Sequence, residues 1–279
     1  MTSTLVRQHP PHTGPVLRVD LGARARDWSE IQERMLVPLH EAVYERLDVG
    51  PATRLLGLGC GSGLALLTAA SRGAAVTGVE AAFPERLALA RERLLPRPWD
   101  PRTRTAARLL EAVPRVAEPY TLVTAFEPVG CLAGDGERLA DALGAARAVV
   151  PRGTPVVLAG WGPPERCATG AVLRTARRAT EPTDGGGWRP AHRDDLEEVA
   201  ARVGLRPDGS GRVACPFGYA DLASALRGLH CTGFLDTAVA AAGRERVDKE
   251  LTEALHPYRR PDGTVWMPNV FRYLIARVH

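Results

Sequence analysis

The chain has 279 residues, is 45% hydrophobic and 24% charged, and carries a formal net charge of +4. These values belong to a folded globular chain with a sizeable core, and they exclude a disordered, collagen-like or disulfide-scaffold protein. No apolar run reaches the roughly 20 residues that span a bilayer, and MTSTLVRQHPPHTGP has no apolar stretch of the secretory kind, so a cytoplasmic protein without membrane contact is expected.

Residues 1–20 are Pro-rich and read as a loose arm. From Asp27, a candidate cap, to Leu47 the apolar residues Ile31, Met35, Leu36, Leu39, Val43 and Leu47 recur at helical spacing, and Pro38 is expected to split that helix. Arg54–Leu58 is a short apolar strand that runs into Gly59-Cys60-Gly61-Ser62-Gly63, and Leu64–Ser71 is an Ala/Leu-rich helix. Ala75–Val79 is the next strand, ending at Glu80, and a helix follows over 84–95. Strands alternating with helices imply a parallel sheet with right-handed crossovers.

The alternation continues with a poor strand over 102–110, a good one over 120–126, a helix over 137–148 and a strand over 155–160. Residues 162–190, with Asp184-Gly185-Gly186-Gly187 near their end, read as an insert with some helix over 170–180. A helix over 192–203, a strand over 212–216, helices over 219–229 and 237–255, a turn at Asp262-Gly263 and an apolar last strand, Val270–Val278, complete the chain.

The basic side chains are almost all arginine, Lys249 being the one lysine, and they are scattered beside acids, as in Arg91-Glu92-Arg93. A nucleic-acid binder carries a basic stripe with interleaved aromatics; none is present, so no nucleic-acid partner is expected. Cys60, Cys131, Cys167, Cys215 and Cys231 form no C-x-x-C and no Cys/His spacing suited to zinc. They read as free thiols of a reducing compartment, with no metal site.

Gly59-x-Gly61-x-Gly63 sits between a strand and a helix, and Glu80 stands at the next strand end, 21 residues after Gly59. Glycines permit a sharp turn and the close approach of a ligand. A carboxylate at that strand end is placed to accept from the 2′- and 3′-hydroxyls of a ribose. The dinucleotide fingerprint wants a small residue where Leu64 stands, which argues against NAD and FAD.

These segments resemble class I S-adenosylmethionine-dependent methyltransferases. Leu55–Gly63 is similar to the first motif of that family, and Val76-Thr77-Gly78-Val79-Glu80-Ala81 to its second strand with the ribose acid. Residues 120–126 resemble its fourth strand, Val150-Pro151-Arg152-Gly153-Thr154 its turn before the fifth, and residues 271–276 its last. The likeness is nearest to small-molecule methyltransferases of actinobacterial natural-product pathways and covers about 27–279. It implies a Rossmann-like three-layer α/β sandwich, with a seven-stranded, mostly parallel sheet, an antiparallel last strand and a helical lid.

In that layout residues 1–50 are arm and cover helices, 51–161 the cofactor-binding core, and 162–279 the rest of the core with the lid at about 217–260. The resemblance implies S-adenosyl-L-methionine as cofactor and S-adenosyl-L-homocysteine as product. The implied holders are Gly59, Cys60, Gly61, Gly63, Glu80, Ala81, Leu109, Leu110 and Phe126.

Two positions depart from the family pattern. Gly57 stands where the first motif carries an acid, and Leu109 where an acid accepts from the adenine amino group. Three readings stay open: methyl transfer to a small-molecule oxygen or carbon with a modified cofactor grip, a methyltransferase-like enzyme of other chemistry such as a cyclisation, and an interaction protein. Candidate general bases are Glu127, after the fourth strand, and His230 and Tyr219 in the lid. Glu127 also reads as a solvated loop acid, and His230 as a structural histidine. Trp28 and Gln32 on the cover helix and Trp161 after the fifth strand are candidate walls of the acceptor pocket; the alternatives are a surface helix packed by Trp28 for the first two and a core tryptophan for Trp161. A homodimer through the lid helices is a further option.

Overall fold

The computed structural model describes residues 20–95, 107–115, 119–131, 134–180 (177–180 as backbone only) and 191–279. The expected N-terminal arm, the start of the weak strand at 102 and the Asp184–Gly187 stretch of the insert lie outside the described residues.

The first helix starts earlier than the apolar spacing indicates. Asp20, not Asp27, is its cap, accepting from the Ala23 amide at 2.9 Å. Helix α1 (Leu21–Asp27) passes into a π-helical turn (Trp28–Gln32), a 3₁₀ turn (Glu33–Leu36) and α2 (Val37–Arg46). The irregularity thus lies before Pro38, which sits in the first turn of α2, where its missing N–H costs no hydrogen bond.

Strand β1 (Arg54–Leu58), helix α3 (Leu64–Ser71) and strand β2 (Ala75–Val79) have the expected bounds, and α4 (Pro84–Leu94) ends one residue short of them. Then come β3 (Ala107–Leu110), β4 (Leu122–Val129), α5 (Asp135–Arg147), β5 (Pro155–Trp161), α6 (Ala168–Thr180) and α7 (Asp195–Arg202).

The C-terminal third departs most from expectation. Strand β6 (Leu205–Ala214) is an edge strand about twice as long as the one expected over 212–216. Its register shifts between Pro207 and Gly209, and an edge tolerates such a proline. Tyr219 belongs not to a helix but to β7 (Phe217–Tyr219), and α8 (Leu222–His230) starts after Asp221, whose side chain accepts from the Ser224 amide at 2.7 Å. The single helix expected over 237–255 is two, α9 (Asp236–Ala242) and α10 (Arg244–Leu255), separated by Gly243 at φ +83°. Strand β8 (Val265–Met267) pairs with β7, and β9 (Val270–Val278) ends the chain as expected.

The main sheet has seven strands in the order β3-β2-β1-β4-β5-β9-β6. Strands β3 to β5 are mutually parallel, while β9 runs antiparallel to both β5 and β6. Alternating residues feed two cores. Leu55 and Val157 join Tyr44 of α2, Leu66 of α3, Leu87 of α4, Leu173 of α6 and Leu251 of α10 on one face. Leu56 and Leu158 join Leu143 of α5 and Leu196 of α7 on the other. This is the Rossmann-like three-layer α/β sandwich expected. The strand order reverses at β1/β4, which puts the ends of β1, β2 and β4 where such sheets bind ligands.

Candidate functional site

Beyond β1 the backbone turns through Gly59, Gly61 and Gly63, at φ +60°, +56° and +84°. A Cβ would strain each of these left-handed positions. The turn is tied to β2 by the Cys60 amide, which donates to the Val79 carbonyl at 3.0 Å, and Gly63 leads into α3.

Glu80 is 3% exposed, and its carboxylate is committed to main chain. One oxygen accepts from the Gly61 amide at 3.0 Å, and the other from Ala82 and Phe83 at 3.1 and 3.3 Å. Its own amide donates to the Leu110 carbonyl at 3.1 Å. Glu80 thus staples the glycine turn to the entry of α4 and to β3.

The two positions that depart from the family pattern are packed with hydrocarbon. A Cβ on Gly57 would lie 2.9 Å from Leu66 Cδ2. One on Gly78 would lie 2.4 Å from Leu66 Cδ1 and 2.9 Å from both Cys60 Sγ and Leu109 Cδ2. Leu66 and Leu109 fill the space between the ends of β1 and β2. Burial there, with the Glu80 charge next in weight, pushes the Cys60 thiol up to about 12.

The π-helical turn lies directly on this loop. A Cβ on Gly61 would be 2.5 Å from Trp28 Cη2 and 2.7 Å from Cζ3. Over the indole lies Arg86 of α4, its guanidinium carbon 3.9 Å from the Trp28 ring centre and 3.9 Å from that of Phe83. Arg86 is 5% exposed and stands 4.0 Å from Glu127. Burial lowers its pKa, and the Glu127 and Glu80 carboxylates oppose that shift.

One turn on, the Glu33 carboxylate accepts from the Ser62 amide at 3.1 Å, the Leu64 amide at 3.4 Å, the Ser62 hydroxyl and Arg93 at 3.0 Å. A carboxylate on the first amides of a helix is favoured by the unpaired N–H groups and the helix dipole. Ser29 joins the cluster, 2.7 Å from Ser62 Oγ and accepting from Arg93 at 2.9 Å.

The segment from Arg24 to Gln32 is also tied to β7, α8 and the start of α9. Tyr219 donates to Gln32 at 3.1 Å, Arg24 pairs with Asp236 at 2.8 Å, and Arg227 pairs with Asp27. Burial raises the Tyr219 pKa. Gly228 of α8 lets the helices meet: a Cβ there would lie 2.7 Å from Tyr219 and 2.8 Å from Ile31.

The remaining candidates fall in four places. Phe126 is buried below the cover, its ring 4.7 Å from His40 and 5.6 Å from Tyr44. Glu127 is exposed beside Gly59, and Ala81 is exposed on the turn after β2. His230, at the end of α8, faces the lid, with Nε2 2.5 Å from Asp248 Oδ1. Burial, followed by the nearby Arg244, lowers its pKa against the pull of Asp248.

Trp161 ends β5 within a ring cluster, 4.8 Å from Phe271 and 6.3 Å from Phe217. Its indole N–H is buried without a partner among the described residues. It lines a void of ≈ 20 Å³ with Cys131, Cys167 and Arg174, room for about one water.

The structure therefore gathers Gly59, Cys60, Gly61, Gly63, Glu80, Leu109 and Leu110 with Trp28 about the glycine loop, places Gln32 against Tyr219 and Gly228, and sets Trp161 and His230 apart. Glu33, Ser62, Arg86 and Arg93 were missed by sequence reasoning. The one local signal was Glu33, an acid five residues beyond Trp28, whose partners only the fold brings near.

An adenosyl group needs an open loop backbone and a free carboxylate at the end of β2. With the cover docked, Trp28 lies on Gly61 and Glu80 is spent on amides, so this conformation does not fit the group. No catalytic step follows from it.

No protein-family model matches the chain, and no curated protein matches it. Solved structures do match. A Bacillus halodurans protein provisionally assigned as a methyltransferase is 12% identical with a TM-score of 0.54, the match covering 86% of this chain and 98% of that one. YcgJ from Bacillus subtilis is 14% identical at 0.51, over 85% and 97%. YjhP from E. coli is 18% identical at 0.50, over 92% and 99%. The likeness is one of fold: the chain shares its seven-stranded sandwich with these structures.

Proposed function

We propose that this protein transfers the methyl group of S-adenosyl-L-methionine to an oxygen or carbon of a small-molecule acceptor, in natural-product biosynthesis in the cytoplasm. The observation that supports this most is the left-handed turn Gly59–Gly61–Gly63 with the Glu80 carboxylate against it, at the switch point of a methyltransferase-fold sheet. The donor supplies an already activated methyl group, so the protein's task is alignment and exclusion of water. Among the described residues no helix is long and apolar enough to cross a membrane. A nucleic-acid partner, a metal and a required dimer are not part of the proposal.

Of the three candidate bases, Glu127 is the one at the loop. Tyr219 is held by Gln32, and His230 by Asp248. Trp161 stands apart from the loop, in the ring cluster with Phe217 and Phe271, and is not part of the proposed site.

The test is mass spectrometry of candidate acceptors incubated with the protein and a donor labelled in its methyl group. Label in the product supports the proposal. A second reading, a methyltransferase-like enzyme that has left methyl transfer, is favoured by the hydrocarbon at Gly57 and Leu109, and it expects an isomerised product without label. Glu80→Ala is a poor test alone, because Glu80 also holds the loop.

A further inference from the structure

The segment Trp28–Glu33 presents an aromatic ring and a carboxylate to the glycine loop. A π-helical turn places them on one side: the Glu33 amide donates to the Trp28 carbonyl, five residues back, where an α-helix would set such residues well apart around its axis. The indole packs on Gly61 and also carries the Arg86 guanidinium over its ring. The carboxylate takes the Ser62 and Leu64 amides and Arg93. A flat ring and a carboxylate are also the two ends of an adenosyl amino acid.

We infer that the cover segment Trp28–Glu33 is an internal occupant of the cleft over Gly61, and that its docking and the binding of an adenosyl amino acid exclude one another. The inference rests on the proposed function for its ligand. Its own content, the exclusion, comes from the contact between Trp28 and Gly61.

Two of the contacts that hold the cover, those of Arg24 and Arg227, are polar and lie at its rim, while the Tyr219–Gln32 hydrogen bond is buried. Arg24 donates to Asp236 and to the His230 and Cys231 carbonyls, and Arg227 pairs with Asp27. Such contacts are weak enough to open without unfolding the sheet. Release uncovers the Gly61 backbone and the first amides of α3 together. The affinity of the closed protein for its ligand is then reduced by the fraction of time the cover is open.

The experiment uses the full chain and S-adenosyl-L-homocysteine as probe. Calorimetry gives its affinity for wild type, Trp28→Ala, Glu33→Gln and Arg24→Ala, and hydrogen exchange follows residues 24–36 with and without it. The expected result is faster exchange of 24–36 when the probe binds wild type, and about tenfold tighter binding by variants whose cover is loosened. Arg24→Ala touches only the rim, so it carries the test if a cleft variant fails to fold.

Binding that leaves 24–36 as protected as before, or unchanged affinity in a variant whose cover exchanges freely, overturns the exclusion and leaves the donor reading standing. No binding by any folded variant, including one with a free cover, overturns the donor reading and the exclusion with it.

Discussion

Over the glycine loop beyond β1 the structure is closed by charges and hydrogen bonds, while at the end of β5 it is closed by rings and thiols. Glu33, Arg93, Ser29 and Ser62 bond one another over the glycine loop. Trp161, Phe217 and Phe271 pack together beside Cys131 and Cys167, leaving a small void. The first closure is directional and can trade its partners for water or a ligand. The second is paid in buried area and cannot open without exposing the core. The glycine-loop end is therefore the part of the molecule built to change, and the β5 end the part that holds the sheet.

The sharpest test of that contrast is Phe271→Ala. Phe271 is fully buried between Trp161 and Phe217, and its truncation should cost about 3–5 kcal/mol. Denaturant titration measures the loss, and exchange of the cover relative to the core should not change. Next, Arg93→Ala removes the cation from Glu33, which is 4% exposed. A loss of about 1.5–3 kcal/mol is expected, with exchange of 24–36 rising before that of β5. Equal loosening of both ends in either variant would break the comparison.

His40 supplies a pH test. Complete burial lowers its pKa from 6.5 to about 3, so between those values the unfolded chain binds a proton that the folded chain refuses. Stability attributable to His40 is intact above 6.5 and falls as pH drops toward 3, by about 1.4 kcal/mol per pH unit. Chemical denaturation from pH 7 to 4 should show that slope, and His40→Phe should flatten it. The smallest effect belongs to the rim: Arg24→Ala should cost less than about 1 kcal/mol, less still in high salt, while loosening the cover.

Legibility follows the reach of the interactions. Strands β1, β2 and β9 and helix α3 were readable to the residue because short apolar runs end at glycine or at a charge. The C-terminal third was not. The β7/β8 ribbon pairs Phe217 with Met267, and three-residue strands leave no periodicity to read. Gly243 divides α9 from α10 through a positive φ, which an isolated glycine in an Ala-rich stretch does not announce. In the site, the glycine loop and Glu80 were visible because they end consecutive strands, β1 and β2, whose apolar runs the sequence marks and which pair as parallel neighbours. Arg86 and Arg93 were not, since each lies on a helix whose face is chosen by packing.

The sequence by itself determined the alternation of strands and helices, the left-handed turn that needs Gly59, Gly61 and Gly63, and the acid that follows it. Those are local matters of backbone sterics and of where apolar runs stop. Only the tertiary structure decided what sits on that turn. Trp28, Glu33, Arg86 and Arg93 come from segments far apart in the chain, and burial and charge pairing select them as partners only once the sheet has brought those segments together.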